Sequence, residues 1–158
     1  MKILFFLSLI FFAEFRFLEE NPKKDLFDST QYKHMKLKNR VFRASIFDCD
    51  SWDNGKLTET MFKRYDELSK NEIGTILTGV ILVDSSEGFE VVCSLAKDEY
   101  IPEYKKLTDL VHNNGANIIG QLHIVRDIDI SVEEIQKIPD LFADATLRAK
   151  KRDLMELK

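Results

Sequence analysis

The chain has 158 residues, of which 44% are hydrophobic and 32% charged, with six glycines and three prolines. This length and balance suit a globular domain with a real core and exclude disordered, collagen-like and low-complexity classes. A formal charge of -4 leaves no basic excess for a phosphate backbone, so no nucleic-acid partner is expected.

Met1–Phe17 differs from the rest: six of the 12 phenylalanines lie there. Lys2 precedes an apolar run, Ile3–Ala13, broken only by Ser8. The run is short of the roughly 20 residues a membrane span needs, but has the size of a signal-peptide core. Ala13-Glu14-Phe15 is a poor cleavage site. The segment is therefore a signal, an upstream extension or an apolar arm, and Glu19–Lys24 a polar linker. Residues 1–24 are set apart from a unit spanning 25–158. Cys49 and Cys93 are too few for a disulfide framework or zinc cluster, and reduced thiols in a cytoplasmic protein are expected. Secretion or membrane association is the alternative if residues 1–17 act as a signal; no firm membrane partner is expected.

Val41–Ile46 is the first strand candidate. Asp53-Asn54-Gly55 marks a turn. Thr58 can N-cap a helix whose apolar face is Met61, Phe62, Tyr65 and Leu68. Gly74–Val83 is a near-continuous β-rich apolar run, as in a strand covered on both faces. Pro102 suits the first turn of a second helix, with Tyr104, Leu107, Leu110 and Val111 inward and Asn114-Gly115 as its stop. Ala116–Leu122 is a third strand. Ser131-Val132-Glu133-Glu134 fits a capping box. Ile135, Ile138, Phe142, Ala145 and Ala149 form a helical stripe behind it, which Pro139 is expected to kink or split. This βα alternation predicts an α/β fold with parallel strands, open or barrel-shaped.

No GxGxxG follows a strand and no GxxxxGK[ST] occurs, which removes the main support for dinucleotide and P-loop sites. The acidic stretch Asp48–Gly55 fails as a calcium loop. With Gly55 at loop position 6, Trp52 falls on a ligand position and Met61 on that of the bidentate glutamate, so no metal site is assigned. His112 sits near a helix C-terminus, where an imidazolium complements the dipole. His123 follows the third strand. Ala44–Phe47, Thr78–Val80 and Gln121 gather at the carboxyl ends of three strands, where parallel α/β folds build their sites. The Gln121 amide, both donor and acceptor, suits the edge of a heterocycle such as a flavin. From spacing alone, the commoner role of such an amide, satisfying loose backbone groups, is the favoured one.

Several stretches recur together, in order, over about 100 residues: Leu26-Phe27, LKNRVFRAS at Leu37–Ser45, DNGKLTE at Asp53–Glu59 and YDELSK at Tyr65–Lys70, followed by IGTILTG at Ile73–Gly79 and IPEYKKLTDLVHNNGANIIGQLH at Ile101–His123. On these, Asp25–Val125 resembles the N-terminal part of the old yellow enzyme family, the FMN-dependent NADH:flavin oxidoreductases and ene-reductases. Ser131–Lys150 is similar to the family's next helix. The resemblance implies a (β/α)8 barrel, of which this chain holds the first three to four βα units.

It further implies FMN at the carboxyl ends of the strands, with NAD(P)H as reductant and an activated alkene or other small molecule as acceptor. The cofactor-binding positions it implies are Ala44, Ser45, Ile46 and Phe47 beneath the flavin, Val80 near the ring, and Gln121 on its pyrimidine edge. The family often has Pro or Ala at Ser45, a small polar or aromatic residue at Phe47, and a smaller residue at Val80. Its loop between the positions of Val125 and Ser131 is longer.

The family's substrate-orienting His pair or His/Asn pair, proton-donating Tyr, ring-contacting basic residue and phosphate loops lie beyond the stretch matching Lys150. No position here matches them, so no catalytic residue is assigned. Each missing phosphate contact removes on the order of 1.5–3 kcal/mol, and weak or absent FMN binding by this chain alone is expected. A missing barrel half or a second copy is the expected macromolecular partner. The alternative is a non-enzymatic remnant, or an interaction module of a split flavoenzyme.

Overall fold

The structure is a computed structural model that describes residues 25–33, 35–47, 55–84, 92–126 and 129–151. The apolar segment and linker at 1–24, the acidic turn at 48–54 with Cys49, and residues 152–158 lie outside the described residues.

A short antiparallel hairpin comes first, β1 (Thr30–Tyr32) against β2 (Met35–Leu37). It is absent from the elements expected from the sequence. Lys33 enters its turn at φ 53, a left-handed conformation without the Gly or Asn that usually announces one. The parallel sheet follows, in the order β3 (Phe42–Arg43), β4 (Thr75–Leu82), β5 (Asn117–His123). The first strand is shorter than expected, since only Phe42 and Arg43 pair with β4 and Ala44–Phe47 run on without ladder bonds.

Helix α1 (Glu59–Lys70) starts where Thr58 accepts from the Met61 amide at 3.4 Å. Helix α2 (Ile101–Asn113) carries Pro102 in its first turn and leads out through Gly115, whose φ of 78 turns the chain into β5. The two helices are tied together: Asn114 Nδ2 donates to Ser69 Oγ at 2.8 Å and to Asp66 Oδ1 at 3.0 Å. Helix α3 (Val132–Lys150) begins with both halves of the Ser131–Glu134 capping box in place. Pro139 does not split it: the helix runs through, lacking the one backbone bond that a proline nitrogen cannot donate.

The core lies between the sheet and its helices. Met61 and Tyr65 of α1, Ile76 and Ile81 of β4, Tyr104, Leu107 and Val111 of α2, Ile118 of β5, and Ala145 and Ala149 of α3 are all buried in one cluster. Of the stripe on α3, only the two alanines are buried; Ile135 is exposed and Ile138 half-buried. Small side chains there let α3 approach the cluster closely. On the other face of the sheet, Phe42 is exposed and Ile119 and Val80 half-buried. Burial on both faces, expected for the apolar run in β4, is thus complete only on the helix side over this stretch.

Candidate functional site

The carboxyl edge of the sheet is shaped by an irregularity in β4. The parallel register runs Leu77↔Ile119, then Val80↔Gln121, so Thr78 and Gly79 bulge out of the ladder. Three side chains stabilise the bulge. Thr78 Oγ1 accepts the Gln121 amide at 3.0 Å in place of a backbone carbonyl and donates to the Gly79 carbonyl at 2.7 Å. The Gly79 amide donates to Tyr65 Oη at 3.2 Å, and Arg43 Nη1 donates to the Leu77 carbonyl at 3.1 Å. Thr78 and Tyr65 are buried, so these bonds replace ladder bonds where water has no access.

The bulge sets Val80 beside Gln121. Ser45, on the segment leaving β3, reaches across β4, and its hydroxyl donates to Gln121 Oε1. Ser45, Val80 and Gln121 therefore meet at one level. Thr78–Val80 lie within β4 rather than at its end, as the strand continues to Leu82. Gln121's side chain bonds to another side chain there, and it is the Gln121 backbone that Thr78 satisfies. Ala44, Ile46 and Phe47 are exposed beside this level, Ile46 at 57% and Phe47 at 56%. His123 closes β5, its carbonyl accepting from the Val83 amide at 2.9 Å while the residue is exposed. Arg126, just beyond β5, is bound to Asp84 at 2.6 Å and joins the chain leaving β5 to that leaving β4.

The bulge and the Arg126–Asp84 pair were not anticipated from the sequence. An isolated glycine within a strand pattern signals a bulge, and Gly79 inside the apolar run is that signal. The ion pair has none, because its members are 42 residues apart. Among the described residues no group of three or more His, Cys, Asp or Glu could hold a metal ion, and no helix is long and apolar enough to cross a membrane.

A parallel βα sheet with an amide, a hydroxyl and exposed apolar side chains near the carboxyl ends of its strands is an α/β architecture of the kind that builds its sites at that edge. Residues 25–126 match the model of the NADH:flavin oxidoreductase / NADH oxidase family, and the chain belongs to that family. It is 27% identical over 100 residues to an N,N-dimethylglycine/sarcosine dehydrogenase of Chromohalobacter salexigens, covering 61% of this chain and 14% of that protein. It is 22% identical over 155 residues to an NADH oxidase of Thermoanaerobacter brockii, covering 80% of this chain and 24% of that one. Among solved structures, an old yellow enzyme from Pichia sp. AKU4542 superposes with a TM-score of 0.75 at 15% identity, over 85% of this chain and 45% of that one. The chain thus spans less than half the length of each of these relatives. The fold is part of the (β/α)8 barrel of old yellow enzymes, with a sheet that does not close among the described residues.

Proposed function

We infer that the chain supplies the ring-binding edge of an FMN-dependent oxidoreductase. When bound, FMN supplies a two-electron carrier that accepts hydride from NAD(P)H and delivers it to an activated alkene or another small-molecule acceptor. The observation that carries this reading is the meeting of Ser45, Val80 and Gln121 at the carboxyl edge of the sheet in a chain whose family is defined by such chemistry.

The donor set fits a flavin ring. Gln121 offers an amide to a polar heterocycle edge, while Ile46 and Phe47 offer apolar surface to its flat body. Ala44 leaves room beneath it. These residues bind and orient, and none of them holds or moves a proton in this reading. The phosphate is served less well: among the described residues, Arg126 beside this edge is already engaged by Asp84, and Arg43 by the Leu77 carbonyl. Anchoring of the phosphate is assigned to late barrel strands that no residue here matches.

The test is titration of FMN and of riboflavin with the purified chain, followed by flavin fluorescence. Both are expected to be quenched only weakly, with affinities within about threefold of each other, because the ring and not the phosphate is held, and Gln121→Ala should weaken both about tenfold. A folded chain that quenches neither flavin overturns the reading. The exposed face carrying Phe42, Ile46 and Phe47 favours a second one, in which this chain is the interaction module of a split flavoenzyme or a non-enzymatic remnant. Its partner would then be the remaining barrel strands or a second copy.

A further inference from the structure

Helix α3 carries two apolar stripes. The first, Phe142, Ala145 and Ala149, packs on the core. The second is Val132, Ile135, Pro139, Ala143 and Leu147. Its steps of three and four residues keep it on one side of the helix, about a third of a turn round from the first. All five residues are exposed, Val132 at 68%, Ile135 at 49% and Leu147 at 57%. A surface helix with one neighbour is apolar on one stripe and charged opposite it. α3 packs against β5 and α2, and nothing among the described residues covers its second stripe. The two ends of that stripe differ in charge: Glu133 flanks its start and Lys150 its end. Their neighbours in those turns are engaged within the chain, Glu134 by Ser131 and Arg148 by Asp98. Glu133 and Lys150 are exposed and form no ion pair among the described residues.

We propose that the second stripe is a homodimer seam, in which α3 packs antiparallel against α3 of a second copy of this chain. An apolar line with an acid at one end and a base at the other is complementary to itself when reversed. A two-fold axis beside Pro139 lays Val132 against the second copy's Leu147, and brings each Glu133 within one helical turn of the other copy's Lys150. The contact is isologous, so every such meeting occurs twice. Pro139 and Ala143, small and near the centre, let the two helix axes approach closely. Asp140 flanks the centre and comes beside its own copy, a like-charge meeting that opposes the seam. The seam lies on the helix side of the sheet and uses none of the residues assigned to the flavin edge, so it stands or falls apart from that reading.

The test is sedimentation velocity of the full chain over roughly 1 to 200 µM, with circular dichroism to confirm that each variant keeps its helices. A monomer–dimer equilibrium is expected. Leu147→Gln should weaken it more than about thirtyfold, because the dimer loses two apolar contacts from a residue that the monomer leaves exposed. Glu133→Lys and Lys150→Glu each turn two attractive meetings into two repulsive ones and should weaken the dimer about tenfold, while the two exchanged together should restore it to within about threefold of wild type. Asp140→Asn removes the like-charge meeting and should tighten the dimer about threefold. A wild-type chain that stays monomeric over the whole range overturns the proposal and leaves the stripe to a different partner, such as the remaining barrel helices. A dimer that Leu147→Gln leaves unchanged, or that the paired charge exchange fails to restore, has its contact elsewhere and overturns the proposal as well.

Discussion

Asn39 is 1% exposed, and both ends of its amide are used. Its Nδ2 donates to the Glu72 carbonyl at 2.6 Å, and its Oδ1 accepts from the Val41 amide at 2.9 Å. It therefore joins the chain entering β3 to the turn entering β4. Gly74 explains why no side chain is tolerated beside it, since a Cβ there would stand 2.2 Å from Asn39 Oδ1. Arg40 next to it donates to the carbonyls of Asp25 and Asp28 at 2.8 and 2.9 Å and fixes the start of the described chain. The KNR triplet at Lys38–Arg40, legible in the sequence only as a family motif, is thus architectural, at the end of the sheet opposite the site. Asn39→Ala is expected to cost about 2–4 kcal/mol, because it leaves two backbone groups without partners; urea unfolding measures it. Tyr104 is the reverse case. Its hydroxyl is buried beside a cavity of about 10 Å3 and has no hydrogen-bond partner among the described residues. Burial holds its ionisation well above the ordinary tyrosine range. Tyr104→Phe should leave stability unchanged or raise it by up to about 1 kcal/mol, as read in thermal unfolding, because the hydroxyl is desolvated without return. A loss above that would show that a water fills the cavity and bonds the hydroxyl.

At the scale of elements, local chemistry explains most boundaries. Thr58, Pro102, Gly115 and the Ser131–Glu134 box each act within one turn of chain, which is why they are legible in sequence and present in the structure. The hairpin β1–β2 was illegible because Lys33 adopts its left-handed turn conformation without a residue suited to it. The capping box has a pH signature. The Ser131 hydroxyl, then the Ser131 backbone amide, hold the Glu134 carboxyl below its ordinary value. A carboxyl lowered in the folded state stabilises fully above its unfolded value, near 4.5, and the contribution fades as the pH falls through the lower folded value. Wild type should therefore lose helix content by circular dichroism more steeply than Glu134→Gln as the pH falls below about 4.5, whereas above that value, where the charged cap is complete, the two profiles run parallel. Parallel profiles below about pH 4.5 as well would remove Glu134 from the acid response. Asp98, lowered by the hydrogen bond from Arg148, acts in the same direction where α3 meets the turn before α2.

For the whole molecule, the two faces of the sheet carry different energies. Leu107 is 1% exposed on the helix side and Phe42 48% exposed on the other. Leu107→Ala is expected to cost about 2–5 kcal/mol and Phe42→Ala under about 1 kcal/mol, both measured by chemical denaturation. Comparable costs for the two would show that the second face is covered in solution.

The sequence by itself determined the three parallel strands and the three helices, their order, the α/β class and the family, because periodicity, caps and motif spacing depend on neighbours a few residues apart. Tyr65 was legible as a core position from its helical spacing, and Gln121 as an amide at a strand end. The tertiary structure decided what those side chains touch. Tyr65 supports a bulge 14 residues away through its hydroxyl, and Gln121 meets Ser45 across 76 residues. Such contacts arise only when parallel strands bring distant segments to one edge, and a one-residue change of register would part them, since successive side chains point to opposite faces of the sheet.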